Sequence, residues 1–201
     1  MNVIFDYGSV LVGWNPNVLL ERILPEDTER RAFEEILNND FIPTIDISFD
    51  LAEFVERFSE QFPYWAHAAR LYRRDWTDML GPEIEGMAEL LSDLKDSGTG
   101  VYGLTNWNRE TFNRSREIRP IMQAIPEENL VVSGDINLGK PDPAIFRYAL
   151  TKFGCRAGDC IFVDDKTSNV AAAIRCGLKG IVFKNAEDLK AQLRRLCITT
   201  R

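Results

Sequence analysis

Residues 3–11 read Val3-Ile4-Phe5-Asp6-Tyr7-Gly8-Ser9-Val10-Leu11, an apolar run whose one charged residue is Asp6. A second apolar run, Cys160-Ile161-Phe162-Val163, ends in the pair Asp164-Asp165. Such runs are typical of buried strands in a parallel sheet, and ligands of these sheets bind beyond the carboxyl ends of the strands. If the two strands are neighbours, three carboxylates converge there, and a cation is the simplest way to keep all of them ionised. The two runs therefore predict a magnesium site that contains a nucleophile.

The second half of the chain alternates between strand and helix patterns. Strands are predicted at 101–104, 130–132, 160–163 and 180–183, and helices at 110–118, 143–153, 169–176 and 187–196. Together with the strand at 2–6, this alternation predicts an α/β fold, a doubly wound parallel sheet with helices on both faces.

Between the first strand and this region, the spacing of apolar residues is helical. Four apolar stripes recur at i, i+3 and i+4, within residues 19–24, 33–37, 51–58 and 65–76. We therefore expect two domains, a Rossmann-like core of residues 1–14 and 82–201 and an inserted all-α domain of residues 15–81. Gly81-Pro82-Glu83 is predicted to open the next helix, because proline is favoured at the first helical position.

Polar groups follow four of the predicted core segments. They are Asp6, the pair Thr105-Asn106, the tripeptide Gly139-Lys140-Pro141 and the pair Asp164-Asp165. In a parallel sheet these loops share one edge, so the groups are expected to converge. A carboxylate can attack phosphorus, hydroxyl and amide groups can hold phosphoryl oxygens, and a lysine can neutralise the transferred charge. Carboxylate oxygens are also the ligands that Mg²⁺ prefers.

These segments resemble the four motifs of the haloacid dehalogenase (HAD) superfamily, in the family's order. Motif one resembles residues 3–11, motif two Gly103-Leu104-Thr105-Asn106, motif three residues 139–146 and motif four residues 161–170. The resemblance covers the core and implies a HAD-like hydrolase with a helical cap inserted after motif one.

The resemblance also implies a role for each motif residue. Asp6 would be the nucleophile, and Lys140 would neutralise both Asp6 and the phosphate. Thr105, Asn106 and Lys140 would bind the phosphoryl group. The Mg²⁺ ligands would be Asp6, the backbone carbonyl of Gly8, Asp164 and Asp165, with Asn169 as an outer partner.

Position 8 departs from the usual motif of the phosphatases in this family. These enzymes usually carry a second aspartate two residues after the nucleophile as the general acid–base, whereas this chain has Gly8. General acid–base help is worth about 10²–10⁴-fold in rate, so another group must replace it or turnover must be slow. The D-x-G-x-V pattern resembles that of a bacterial subgroup of sugar-phosphate phosphatases.

Three functions remain open at this point. The first is a Mg²⁺-dependent phosphatase acting on a small phosphorylated metabolite, such as a sugar phosphate. The second is a 2-haloacid dehalogenase, which fits Gly8 but not the Asp164-Asp165 doublet. The third is a degenerate member that binds a phosphorylated ligand or a protein partner without catalysis, although the presence of Asp6, Lys140 and both metal-site carboxylates disfavours it.

The net charge, the apolar stretches and the cysteines limit the kinds of partner and cellular compartment that we expect. The net charge of -7 disfavours nucleic acid and anionic membranes as partners, and no apolar stretch is long enough to span a bilayer. We expect a cytoplasmic monomer or homodimer. Four cysteines lack a CxxC spacing and are expected to be reduced thiols: Cys155, Cys160, Cys176 and Cys197. The single histidine, His67, is expected to be structural or exposed, with a role as the missing acid as the minority alternative.

Overall fold

The computed structural model describes residues 1–41, 45–47, 50–196 and 198. Within these residues, five strands form one parallel sheet in the order β5-β4-β1-β6-β7. The strands are β1 (Asn2–Phe5), β4 (Gly100–Thr105), β5 (Leu130–Val132), β6 (Cys160–Asp164) and β7 (Lys179–Val182). Two further strands, β2 (Val12–Trp14) and β3 (Leu80–Glu83), form a separate antiparallel pair. The expected α/β class is confirmed.

The central position of β1 brings distant parts of the chain together. Phe5, its last residue, is in register with Gly103 of β4 on one side and Val163 of β6 on the other. Val3, Ile4 and Phe5 are fully buried, and burial of such side chains stabilises the fold by roughly 1.5–3 kcal/mol each. The chain leaves β1 towards β4 and later returns to its other side as β6. The strand order therefore reverses at β1, where ligands of open α/β sheets bind.

Helices surround the sheet and also fill the stretch between β2 and β3. The helices after β3 are α5 (Met87–Asp96), α6 (Arg109–Ile118), α7 (Pro143–Phe153), α8 (Thr167–Arg175) and α9 (Ala186–Arg195). The helices before it are α1 (Asn17–Ile23), α2 (Asp27–Ile36), α3 (Leu51–Gln61) and α4 (Ala66–Arg74). We call residues 15–79 the helical segment.

Aromatic side chains form the interior of the helical segment. Phe58 is fully buried and its ring centroid lies 5.2–5.4 Å from those of Phe33, Phe41, Phe54 and Phe62. Because aromatic pairs at these separations attract each other beyond simple area burial, this cluster holds short helices together. The four predicted apolar stripes fall on α1 to α4 and their flanking turns.

One predicted helix start is wrong. Residues 80–83 form strand β3 instead of opening a helix, and α5 begins at Met87. The reason is tertiary: β3 crosses β2 so closely that a Cβ on Gly81 would lie 3.0 Å from the Cα of Gly13. Glycine at both positions permits this approach, and the backbone pairing overrides the local preference of Pro82 for a first helical turn.

The remaining sequence predictions concern thiols and membrane insertion. Cys155, Cys160 and Cys176 are free thiols, while Cys197 lies outside the described residues. In the part of the chain that the structure describes, no helix has both the length and the apolar character that crossing a bilayer requires.

Candidate active site

Three carboxylates meet at the carboxyl edge of the sheet. Asp6 follows β1, Asp164 ends β6, and Asp165 is the next residue. One carboxylate oxygen from each lies within 4.8 Å of the others. Asp164 is fully buried and Asp6 is 8% exposed. The convergence expected from the two apolar runs is therefore present, because β1 and β6 are neighbours in the sheet.

Lys140 lies between two of these carboxylates. Its Nζ atom is 2.8 Å from Asp6 Oδ1 and 2.7 Å from Asp164 Oδ2, and it also donates to the carbonyl of Leu104 at 3.0 Å. The backbone N–H of Tyr7 donates to the same Asp6 Oδ1 at 2.8 Å. Among the described residues, Asp6 Oδ2 therefore receives no hydrogen bond, whereas Oδ1 receives two.

Two asparagines hold this network in place. Asn106, after β4, donates to the carbonyl of Lys140 at 2.9 Å and accepts from its N–H at 2.7 Å. Asn169, on α8, donates to Asp164 at 3.0 Å, and the N–H of Lys166 donates to Asp164 Oδ1 at 2.8 Å. Asn106 thereby joins the loop after β4 to the loop that carries Lys140, and Asn169 and Lys166 fix Asp164 within the turn from β6 to α8.

The electrostatics of the cluster depend mainly on burial. Burial raises the pKa of Asp6 to about 6, although Lys140 opposes the shift, and the charge of Asp164 adds to it. Burial and Asp164 likewise raise the pKa of Asp165. Burial alone would lower the pKa of Lys140, but the carboxylates of Asp6 and Asp164 more than offset this, so its pKa lies above the ordinary value. The negative charge of Asp164 thus adds to the effect of burial at both Asp6 and Asp165.

The donor set fits a small divalent cation. The three carboxylates and the one ammonium group leave a surplus of two negative charges when all are ionised. Ligands of one Mg²⁺ bind at about 2.1 Å, so they lie at most about 4.2 Å apart. The observed carboxylate oxygens, within 4.8 Å of one another, reach this range with small side-chain shifts. Because the ligand atoms at this cluster are carboxylate oxygens, with no sulfur or imidazole nitrogen among them, the cluster favours a hard cation over zinc.

A cavity of about 600 Å³ opens above this cluster. Nearly all of the motif residues expected from the sequence line this one pocket: Asp6, Gly8, Thr105, Asn106, Lys140, Asp165 and Asn169. The exception is Asp164, which is fully buried. Trp14, Trp76 and Trp107 form an aromatic wall, with ring centroids 4.8–6.1 Å apart. Asn17, Glu34 and Asn38 of the helical segment add polar groups to the lining.

Asp46 is a pocket residue that the sequence motifs do not identify. It lies in the helical segment and lines the cavity together with Asp6 and Lys140. Burial raises its pKa to about 7, with Lys166 and Lys140 acting against the shift and Asp6 adding to it. The available sequence signal was its position between Ile45 and Ile47, since a carboxylate flanked by isoleucines points to a buried setting. His67 is exposed on α4 and is not among the described residues that line the cavity.

Comparison with known proteins agrees with this geometry. Over 194 residues the chain is 26% identical to a sesquiterpene phosphatase of Aspergillus oryzae, covering 96% of this chain and 94% of that protein. Over 124 residues it is 31% identical to a chloroplast flavin mononucleotide hydrolase of Arabidopsis thaliana, covering 57% of this chain and 46% of that protein.

Solved structures share the fold over nearly the whole chain. A HAD family enzyme of Bacteroides thetaiotaomicron, crystallised with magnesium and inorganic phosphate, superposes with a TM-score of 0.76 at 22% identity, covering 96% of this chain and 98% of that one. The family model for haloacid dehalogenase-like hydrolases matches residues 2–177. With the motif residues gathered at one edge of a doubly wound sheet, the chain belongs to the haloacid dehalogenase-like hydrolase family.

Proposed function

We propose that the chain is a Mg²⁺-dependent phosphatase that hydrolyses a small phosphorylated metabolite through an aspartyl phosphate on Asp6. The observation that carries this proposal is the convergence of Asp6, Asp164, Asp165 and Lys140 at the carboxyl edge of the sheet. Such a set combines a nucleophile, a cation site and a positive charge for a phosphoryl group. The phosphatase names of the relatives support the same reaction class.

Asp6 is oriented for nucleophilic attack. Lys140 and the Tyr7 N–H both bind Oδ1, which leaves Oδ2 as the oxygen for bond formation with phosphorus. Thr105, buried at the end of β4, and Asn106, in the pocket lining, supply hydroxyl and amide groups for the phosphoryl oxygens. Attack by Asp6 breaks the bond from phosphorus to the leaving alcohol, and water then hydrolyses the aspartyl phosphate.

The metal ligands proposed are Asp6, the Gly8 carbonyl, Asp164 and Asp165, with Asn169 holding Asp164. When bound, Mg²⁺ supplies charge neutralisation and polarisation of a phosphoryl oxygen. Lys140 keeps its charge in this setting because two carboxylates contact it.

We further infer that residues 15–81 act as a cap over the core and select the leaving group. The segment supplies part of the cavity wall, including Glu34, Asn38 and Trp76, and Trp14 of β2 adjoins it. Aromatic faces and short polar groups together suit a sugar ring with its hydroxyls, which supports a sugar phosphate as substrate. The protein is expected to act as a cytoplasmic monomer or homodimer.

A substrate panel tests the proposed reaction. Sugar phosphates, a prenyl phosphate, flavin mononucleotide and p-nitrophenyl phosphate would be assayed for phosphate release with Mg²⁺ and with EDTA. We expect release that requires Mg²⁺ and falls to background in Asp6→Asn. Asp159→Asn is the matched control, because Asp159 is exposed at the opposite end of β6, and it should retain native turnover.

Two other outcomes would favour the rival functions. Halide release from a 2-haloacid, unaffected by EDTA, would favour a dehalogenase, the reaction that Gly8 allows. Binding of a phosphorylated ligand without turnover of any substrate would favour a non-catalytic protein. Phosphate release by Asp6→Asn at the native rate would remove Asp6 from the role of nucleophile.

A further inference from the structure

The proposed reaction lacks a proton donor and acceptor among the motif residues. The leaving alkoxide must be protonated when the aspartyl phosphate forms, and water must lose a proton when it is hydrolysed. Glycine at position 8 can do neither. Asp6, Asp165 and Lys140 already have roles, so efficient turnover requires another titratable side chain in the cavity lining to transfer the proton.

The described cavity lining offers few candidates. Burial raises the pKa of Tyr72 far above its ordinary range, so its hydroxyl stays protonated and cannot act as a base. Lys166 is exposed. Glu34 lies on α2, and among the described residues no side-chain hydrogen bond or ion pair joins that helix to the loops of the core. Asp46 is the other free carboxyl in the described lining, and its backbone is hydrogen-bonded to the core.

The backbone around Asp46 is anchored to the core on three sides. Ser133, after β5, donates to the carbonyl of Asp46 at 2.5 Å, and Asn108, after β4, donates to the carbonyl of Ile45 at 3.4 Å. Ile47 packs against Gly139, where an added Cβ would lie 2.8 Å from Ile47 Cγ2. Gly139 directly precedes Lys140. The segment is thus fixed against the loops that carry the phosphate-binding residues.

We propose that Asp46 is the general acid–base of this active site, in place of the aspartate absent at position 8. The inference rests on the proposed phosphatase function. The Asp46 carboxyl gives its proton to the leaving oxygen as the bond from Asp6 Oδ2 to phosphorus forms and the phosphorus–alcohol bond breaks. The Asp46 carboxylate then takes a proton from water as the water oxygen bonds to phosphorus, and the bonding pair returns to Asp6 with release of phosphate.

The surroundings of Asp46 suit both steps. The charged and titratable groups around it come from four places: Lys166 after β6, Asp6 after β1, Lys140 in motif three and Tyr72 on α4. Its pKa of about 7 lies near neutral pH, where one carboxyl can serve as acid and base in turn.

Asp46→Asn is the direct test. On an alkyl phosphate we expect kcat to fall by about 10²–10⁴-fold, the usual contribution of general acid–base help. On p-nitrophenyl phosphate, whose leaving group needs no acid, we expect a burst of one p-nitrophenolate per site followed by slow turnover, because only hydrolysis of the aspartyl phosphate is impaired. Asp50→Asn is the matched control: Asp50 is exposed and caps α3 through Glu53, and asparagine caps equally well.

A second variant separates chemistry from folding. A Cβ at Gly8 would have only the indole of Trp107 within 4 Å, at 3.9 Å, among the described residues, so position 8 has room for a side chain. Gly8→Asp in the Asp46→Asn background should restore most of the lost kcat on the alkyl phosphate. A structural role for Asp46 would instead predict an equal loss on both substrates, no burst and no rescue.

The outcomes also distinguish this inference from the proposed function. An Asp46→Asn protein with kcat within about threefold of native on the alkyl phosphate, far less than acid–base catalysis contributes, would overturn the assignment while leaving the phosphatase intact. A native protein that releases no phosphate from any substrate with Mg²⁺ would overturn both.

Discussion

Glycine stands at position 8, where related phosphatases usually have an aspartate. The other groups of the motif keep their contacts. Asp6 keeps its two donors, and Lys140 keeps both carboxylate partners. The residue that we propose as a replacement, Asp46, comes from another part of the chain. A group that transfers a proton needs only to reach the reacting oxygen, so it can come from any part of the sequence. The metal ligands, by contrast, are tied to the ends of particular strands.

The raised pKa of Asp46 predicts a pH dependence of stability. Folding raises this pKa from 3.8 to about 7, so the folded state binds the proton more tightly than the unfolded state. Below about pH 4 both states are protonated and there is no penalty. Between about pH 4 and about pH 7 the unfolded state loses its proton while the folded state keeps it, so the folded state loses stability as the pH rises, and above about pH 7 the penalty is complete. The pKa of Asp6 is also raised, so its ionisation affects stability in the same direction.

We therefore expect Asp46→Asn to gain stability relative to the native protein as the pH rises from about 4 to about 8. Urea unfolding at several pH values with EDTA present measures this difference. A difference between native and Asp46→Asn that is constant with pH would contradict the raised pKa.

The helices of the helical segment are short, so their stability comes from packing more than from helix propensity. Isolated helices of fewer than about 12–15 residues are marginal in water, and α1 to α4 have 7 to 11 residues. The aromatic cluster centred on Phe58 supplies the missing stabilisation.

Phe58→Ala tests this dependence on packing. Loss of a fully buried ring with four aromatic neighbours should lower the free energy of unfolding by about 3–5 kcal/mol. Val18→Ala on α1, where Val18 is 52% exposed, should cost far less. Chemical unfolding followed by circular dichroism measures both, and equal effects of the two variants would show that the cluster is not the main source of stability.

Strand β3 shows how a local signal can mislead. Gly81-Pro82-Glu83 has the composition of a helix start, but the segment pairs with β2, and Arg119 donates to the carbonyls of Leu80 and Gly81. These partners lie more than thirty residues away in either direction. A window of neighbouring residues does not contain that information.

In the whole molecule, Ser133 links the helical segment to the core. Its Oγ donates to the Asp46 carbonyl at 2.5 Å and accepts from the Trp107 N–H at 2.8 Å, and the residue is fully buried. The link connects the proposed acid–base residue, the aromatic wall and the loop after β5.

Ser133→Ala should therefore affect catalysis as well as stability. Loss of the hydroxyl should lower the free energy of unfolding by about 1–3 kcal/mol, because a buried N–H and a carbonyl lose their partner. We also expect a fall in kcat on alkyl phosphates with less change in KM, since Asp46 would no longer be held in place. Steady-state kinetics and urea unfolding measure the two effects.

Ser115→Ala is the control for this variant. Ser115 is also fully buried, but its hydroxyl donates to the Thr111 carbonyl within α6. It should lose stability without a selective loss of kcat. A Ser133→Ala protein with native kcat would show that this hydrogen bond does not position Asp46.

The order of elements in the core, the convergence of Asp6, Asp164 and Asp165, and the family itself were readable from the sequence. They depend on short apolar runs closed by polar residues, and the rules of parallel sheets place the ends of such runs at one edge. The pocket position of Asp46, the aromatic wall and the β2–β3 pair were not readable. Each arises from packing and hydrogen bonding between segments far apart in the chain, and a local stretch of sequence does not contain those partners.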